Sequence, residues 1–287
     1  MTREAVGPTS VVTGATSGIG RELAALLAAD GGRVIGVGRS AERCLMAERD
    51  IRRTTGNPRV TFLQADLSSL RDVRDLAARI TAAETHLDVL VNNAGVFTLS
   101  RRETADGVET QLAVNWLAAF VLTGLLLATL DRAPAPRVVN LSSGSHFAGT
   151  MHWRDPGLRR GYHGLKAYDQ SKLAMVLFSY ELARRAGPSR KPAVYAVDPG
   201  LVKTGIAAKE NSRVVRAIWG IRTRKAISPG QAAKSVAWCA VDPAVGGKTG
   251  LYWKEKRPLV SSAESYDPEA GRRLWELGET LGGISYL

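Results

Sequence analysis

The chain has 287 residues, of which 45% are apolar and 29 are glycine, with a formal net charge of +12. This is enough for a full hydrophobic core, and no linker rich in Pro, Gly or Ser divides it, so one domain over residues 1–287 is expected. No apolar run reaches the roughly 18 residues of a membrane span, the first ten residues lack a basic-then-apolar leader, and the arginines are scattered without interleaved aromatics, which argues against a nucleic-acid partner.

In chain order, short apolar runs at 10–13, 33–37, 60–63, 87–91, 137–141 and 194–197 read as strands. Between them lie helical patterns at 19–29, 41–54, 70–83, 108–130 and 168–186. A further apolar helix runs from about 230 through Cys239, followed by a strand near 251–253 and a helix around 268–281. Regular strand–helix alternation predicts an α/β fold, a doubly wound parallel sheet of the Rossmann type with helices on both faces.

The first predicted strand runs into Gly14, Thr16, Ser17, Gly18, Ile19 and Gly20 and then a helix. Glycines at such a turn let the backbone approach a pyrophosphate, and the helix N-terminus supplies free N–H groups. The spacing is Gly-x-x-x-Gly-x-Gly, not the commoner Gly-x-Gly-x-x-Gly. After the second strand, where an NAD site usually has a carboxylate, the sequence has Gly38 and Arg39, with Arg43 one turn into the helix. A guanidinium fork there suits a ribose 2′-phosphate, which predicts NADP(H).

Tyr168 and Lys172 are four apart in a helical segment and so share one face. A fixed ammonium beside a phenol favours the phenolate and makes the tyrosine a usable general acid or base. The four histidines, His86, His146, His152 and His163, have no metal-ligand spacing, and no metal is expected. The two cysteines, Cys44 and Cys239, match no ligand spacing either and fit a reducing cytoplasm.

The glycine spacing and the Tyr-x-x-x-Lys pair, with Asp66-Leu67-Ser68, Asn92-Asn93-Ala94-Gly95, Asn115, Ser142-Ser143 and Pro199-Gly200 in order, resemble the short-chain dehydrogenase/reductase family over nearly the whole chain. The resemblance implies hydride transfer between a nicotinamide and a carbonyl or alcohol. In it Ser143 holds the substrate oxygen, Tyr168 passes the proton, Lys172 lowers the tyrosine's pKa and reaches the nicotinamide ribose, and Asn115 holds a water on the path to Lys172. It further implies that Asp66 and Leu67 flank the adenine, that Asn92, Ala94 and Gly95 line the adenosine ribose side, and that Pro199, Gly200, Val202 and Thr204 form the nicotinamide loop. Asp66 is also open to a helix-capping reading.

The long stretch 144–167, the Ala105-Asp106-Gly107 element and Leu274-Trp275-Glu276 make the chain most similar to the retinol-dehydrogenase-like branch. This implies a bulky apolar carbonyl or alcohol substrate, with stretch 144–167 in the substrate wall and a helical lid at about 201–228. The lid mixes arginines with apolar residues, and interfacial membrane contact is its lesser reading. A ketoreductase of bacterial secondary metabolism is the favoured expectation. An epimerase or dehydratase on the same fold and a non-catalytic NADP(H)-binding sensor are the alternatives. The family's habits imply a homodimer or homotetramer.

Overall fold

The computed structural model describes residues 7–187, 191–202 and 226–287. Its elements run β1 (Gly7–Thr13), α1 (Gly18–Ala29), β2 (Gly32–Gly38), α2 (Ala41–Thr55), β3 (Val60–Gln64), α3 (Leu70–Ala83) and β4 (Val89–Asn92), then α4 (Thr110–Asp131), β5 (Arg137–Leu141), α5 (Gly164–Ala186) and β6 (Ala193–Asp198). The chain closes with α6 (Pro229–Val241), β7 (Leu251–Lys254), β8 (Arg257–Leu259) and α7 (Pro268–Gly282). The strands form one sheet in the order β3-β2-β1-β4-β5-β6-β7-β8, parallel except for β8.

A parallel sheet is covered on both faces, so its strands read as continuous apolar runs. Neighbouring residues therefore enter opposite cores. Val11 packs with Leu76, Trp116, Phe120, Leu177 and Trp275 on one face. Val12 packs with Leu23, Ala47, Val139, Val236 and Trp253 on the other. The order reverses at β1, which pairs with β2 on one side and β4 on the other. Successive crossovers leave that point in opposite directions and open a crevice at the carboxyl ends of β1 and β4, where ligands of doubly wound folds bind.

Helix α4 is long and apolar enough to cross a membrane by length and composition, although the sequence was expected to hold no such segment. Packing accounts for it, since 78% of its most apolar window is buried within the domain. Helix α5 begins at Gly164, four residues before the predicted start. Strand β8 was not foreseen: Arg257-Pro258-Leu259 is short and carries a proline, and its hairpin turns through Glu255 (φ 49°) and Lys256 (φ 64°) in place of the usual Asn-Gly. Residues 203–225, which include most of the expected lid, lie outside the described residues.

Helix α7 is amphipathic and docks the C-terminal segment on α4 and α5. Trp275 is buried against Phe120, Phe178 and Tyr286, with Arg185 over its ring at 4.3 Å. Trp275→Ala is expected to lower unfolding stability by about 3–5 kcal/mol, read as a fall in the denaturant midpoint with the slope unchanged.

Candidate active site

The glycine loop is shaped by two close approaches. Gly14 has φ +67°, and a Cβ there would lie 2.9 Å from the Ala94 backbone. A Cβ on Gly20 would lie 2.4 Å from Asn93 Nδ2 and 2.5 Å from the Gly14 carbonyl oxygen. Asn93 holds the turn in place by donating to the carbonyls of Thr13 (2.7 Å) and Gly14 (3.3 Å). Ser17 precedes α1 in extended conformation and makes no side-chain cap. Helices α2, α3, α6 and α7, in contrast, are each capped by their own Ser or Asp. The first turn of α1 therefore keeps its N–H donors, beside half-buried Thr16, Gly18 and Ile19, for an anion.

The other expected dinucleotide residues surround this loop. Arg39 and Arg43 are exposed at the end of β2 and the start of α2, and no acidic side chain stands at Gly38 or Arg39. Leu67, Asn92 and Ala94 line one cavity of about 10 Å³ with Thr13, and Gly95 follows half-buried. Asp66 turns inward on its own loop, its carboxylate accepting from the Ser68 N–H (2.9 Å) and hydroxyl (2.7 Å), while Ser69 caps α3. Asn92 is spent within the sheet: its amide donates to Asn140 Oδ1 (2.8 Å) and Thr123 Oγ1 (3.2 Å). It is thus a brace between β4 and β5, with its Oδ1 buried and unpartnered.

At the carboxyl end of β5 the two serines part company. Ser142 is buried and donates to the Lys172 carbonyl (2.9 Å). Ser143 is half-buried, and its hydroxyl is near enough to the Tyr168 phenol to favour the phenolate. Phe97 packs edge-on to the Tyr168 ring at 5.8 Å. Lys172 lies one turn along α5, its ammonium 5.6 Å from the Tyr168 ring centroid and donating to the Leu141 carbonyl (3.0 Å). Ser143, Tyr168 and Lys172 are therefore brought together as expected.

The electrostatics differ from expectation. Burial pushes the Tyr168 phenol well above its ordinary range, and the carboxylates of Asp169 and Asp198 push the same way, against a lowering by the Ser143 hydroxyl. Lys172 is not among the groups that oppose this rise, and burial brings its own ammonium down to about 8, with Asp198 opposing. In the chain by itself Tyr168 is a protonated donor across the neutral range, which suits proton delivery to a forming alkoxide.

Asn115 sits in a π-turn, Ala113–Leu117, within α4. Its amide accepts from the Val96 N–H (2.7 Å) and donates to the Val96 carbonyl (3.1 Å) and the Ser171 hydroxyl (2.9 Å), which in turn donates to the Tyr168 carbonyl (2.7 Å). In these contacts Asn115 anchors the backbone that carries Tyr168. Pro199 and Gly200 follow β6, with Gly200 at φ +83°, and Val202 is buried and bridged to Ile227. Thr204 lies outside the described residues.

Three features escaped the sequence reading. His146, read from the sequence only as lacking metal-ligand spacing, is buried and bonds through Nδ1 to the Ser143 carbonyl (2.7 Å), while Nε2 accepts from the Ser262 N–H (3.2 Å); burial favours its neutral form. Glu109, Gln111 and Tyr162 form a polar knot with Thr98 that fixes stretch 144–163 to the segment carrying Phe97. The third is Asp198, whose carboxylate influences both site residues. Only Asp198 left a signal, an acidic residue immediately before Pro199-Gly200. Among the described residues no group of His, Cys, Asp and Glu could hold a metal.

A glycine loop at the sheet's switch point, an uncapped helix N-terminus above it and a half-buried serine and tyrosine backed by a buried lysine define a dinucleotide-dependent oxidoreductase. The residues present fit the dinucleotide, whose phosphates the α1 N-terminus and glycine loop would hold. Residues 8–214 match the short chain dehydrogenase family model, and the chain belongs to that family. Within it the chain is similar to the retinol dehydrogenases. Retinol dehydrogenase 13 of Homo sapiens is 37% identical over 286 residues, 97% of this chain and 85% of the relative. Polyprenol dehydrogenase of Mus musculus is 37% identical over 289 residues, 96% of this chain and 84% of the relative. Among solved structures, an uncharacterized protein from Mycobacterium Paratuberculosis superposes with TM-score 0.79 at 29% identity, covering 98% and 95% of the two chains. A short chain dehydrogenase from Escherichia coli CFT073 complexed with NADPH superposes with TM-score 0.69 at 26% identity, covering 87% and 97%.

A buried ammonium taxes the fold. Lys172 titrates near 8 when folded against 10.5 unfolded, so the unfolded chain binds the extra proton between those values and stability rises with pH across that window. The cost at neutral pH is roughly 3 kcal/mol. Lys172→Met is expected to raise the denaturant midpoint at pH 7, with the gain shrinking above pH 8, while turnover is lost.

Proposed function

We propose that the protein is an NADP(H)-dependent oxidoreductase that interconverts a carbonyl and an alcohol on a bulky apolar substrate. The observation that carries this reading is the Lys172 ammonium 5.6 Å from the Tyr168 ring, with Ser143 following the carboxyl end of β5 beside them. A bound nicotinamide would supply or accept the hydride. The chain's own part is to hold the substrate oxygen on the Ser143 and Tyr168 hydroxyls, deliver the phenol proton to it, and keep positive charge behind the phenol on Lys172. A phenol protonated at neutral pH is in the form that carbonyl reduction consumes.

Arg39 and Arg43, exposed where a carboxylate would exclude a 2′-phosphate, support NADP(H), as does the NADPH-complexed structural relative. Two relatives are named for retinol and polyprenol, both long apolar alcohols; the Tyr168 ring packs on buried Phe97, and Leu99, Phe147 and Leu201 are exposed apolar side chains. The substrate we infer is therefore an extended isoprenoid, polycyclic or polyketide aldehyde or ketone, in keeping with a reductase of secondary metabolism. Two buried free thiols, Cys44 and Cys239, are compatible with work in a reducing cytoplasm, and a homodimer or homotetramer is the assembly we expect from the family.

Purified protein should consume NADPH in preference to NADH with polycyclic and long-chain carbonyls. Arg39→Ala should raise KM for NADPH about 10- to 100-fold, the loss of one charged hydrogen bond, and leave KM for NADH unchanged. Preference for NADH in the unaltered protein would overturn the cofactor assignment.

A further inference from the structure

The carboxylate of Asp198 has a place in the site that the serine, tyrosine and lysine do not explain. Strand β6 pairs with β5 through Val197↔Leu141, and the Ser142 N–H donates to the Val197 carbonyl (2.8 Å). Asp198 is the next residue, so its side chain emerges beside the Leu141–Ser143 strand end that holds the Lys172 ammonium. It is buried. Oδ1 accepts from the Gly200 N–H (2.9 Å), which shapes the turn at Pro199-Gly200. Oδ2 lies 3.3 Å from Lys254 Nζ and faces Gly144, the residue after Ser143, where a Cβ would sit 3.6 Å away.

We propose that Asp198 is a positioning residue acting through Lys172: a buried counter-charge that keeps the ammonium protonated, with Lys254 at the strand end setting how much of that charge the site feels. This deepens the oxidoreductase reading above and rests on it.

The charged and titratable groups that face this carboxylate among the described residues are few. From α5 come Tyr168 and Lys172, from β7 Tyr252 and Lys254, and from the turn after Ser143 the neutral His146. Lys254 is about one-third exposed and its attraction is partly screened, whereas Asp198 and Lys172 are both buried and feel each other through a weaker dielectric. The influence has one sense at both site residues: a carboxylate favours the ammonium of Lys172 and disfavours the phenolate of Tyr168. It keeps both protons in place and so poises the pair to donate, the state that carbonyl reduction consumes.

The test compares the unaltered protein with Asp198→Asn and Lys254→Met, following Lys172 by NMR of protein labelled at the lysine ε-carbons, with Lys172→Met assigning its resonance. Asparagine keeps the acceptor for the Gly200 N–H. Lys172 should titrate about one unit lower in Asp198→Asn and higher in Lys254→Met. The falling limb of the pH–rate profile for carbonyl reduction should move in the same two directions. If Asp198→Asn does not fold, Lys254→Met carries the test alone, since Lys254 is partly exposed and its loss unshields the carboxylate. A Lys172 titration unchanged in the folded variants would overturn the proposal. The NMR titration needs neither cofactor nor turnover, so an unaltered protein that reduces no carbonyl would count against the functional reading only.

Discussion

The site depends on keeping an ammonium inside the domain. Lys172 is buried in the middle of α5, and the only polar contact within hydrogen-bond distance of its Nζ among the described residues is the Leu141 carbonyl. Ion burial of this kind is tolerated where hydrogen bonds and an opposite charge answer it. Much of the surrounding architecture does so. Leu141 ends a strand whose carbonyl is free to accept because the sheet stops there, Asp198 ends the neighbouring strand, and Ser142 fastens the Lys172 backbone to β5.

The same strand ends define the crevice. The sheet's order reverses at β1, so the carboxyl ends of β1 and β4 open outward together, and the loops after them must pack closely without filling the gap. Gly14, Gly20 and Asn93 meet that demand, two by lacking a side chain and one by using its side chain to tie the loops together. In the proposed function, phosphate recognition and proton transfer share the carboxyl edge of the sheet, and the connection 144–163 contributes to the substrate wall. The Glu109–Gln111–Tyr162 knot shows that even this long connection is held to the core by buried hydrogen bonds.

Much of this was legible in the sequence because the relevant signals are local. Glycine spacing between a strand and a helix, and a tyrosine and lysine one turn apart, each encode a geometry by themselves. Strand positions followed from apolar runs for the same reason. What escaped was set by tertiary placement. Asp198 acquires its influence only because β6 lies beside β5; His146 becomes a link only because Ser262, 116 residues later, returns to it. Asn92 is expected from its motif to line the ribose; its register adds what the motif does not show, a bond from its amide to Asn140 opposite. The sign of the Tyr168 shift was missed because spacing shows the approach of a charge and not the burial that opposes it.

Tyr168 is the proton donor on which the proposed chemistry depends. Tyr168→Phe keeps the ring that packs against Phe97 and removes only the hydroxyl, so the variant should fold and bind NADPH as the unaltered protein does. Its carbonyl reduction should fall about a thousandfold, the logarithmic middle of the 10²–10⁴ range typical of a lost general acid. A folded Tyr168→Phe protein that binds NADPH and reduces the same carbonyl at an undiminished rate would contradict the account.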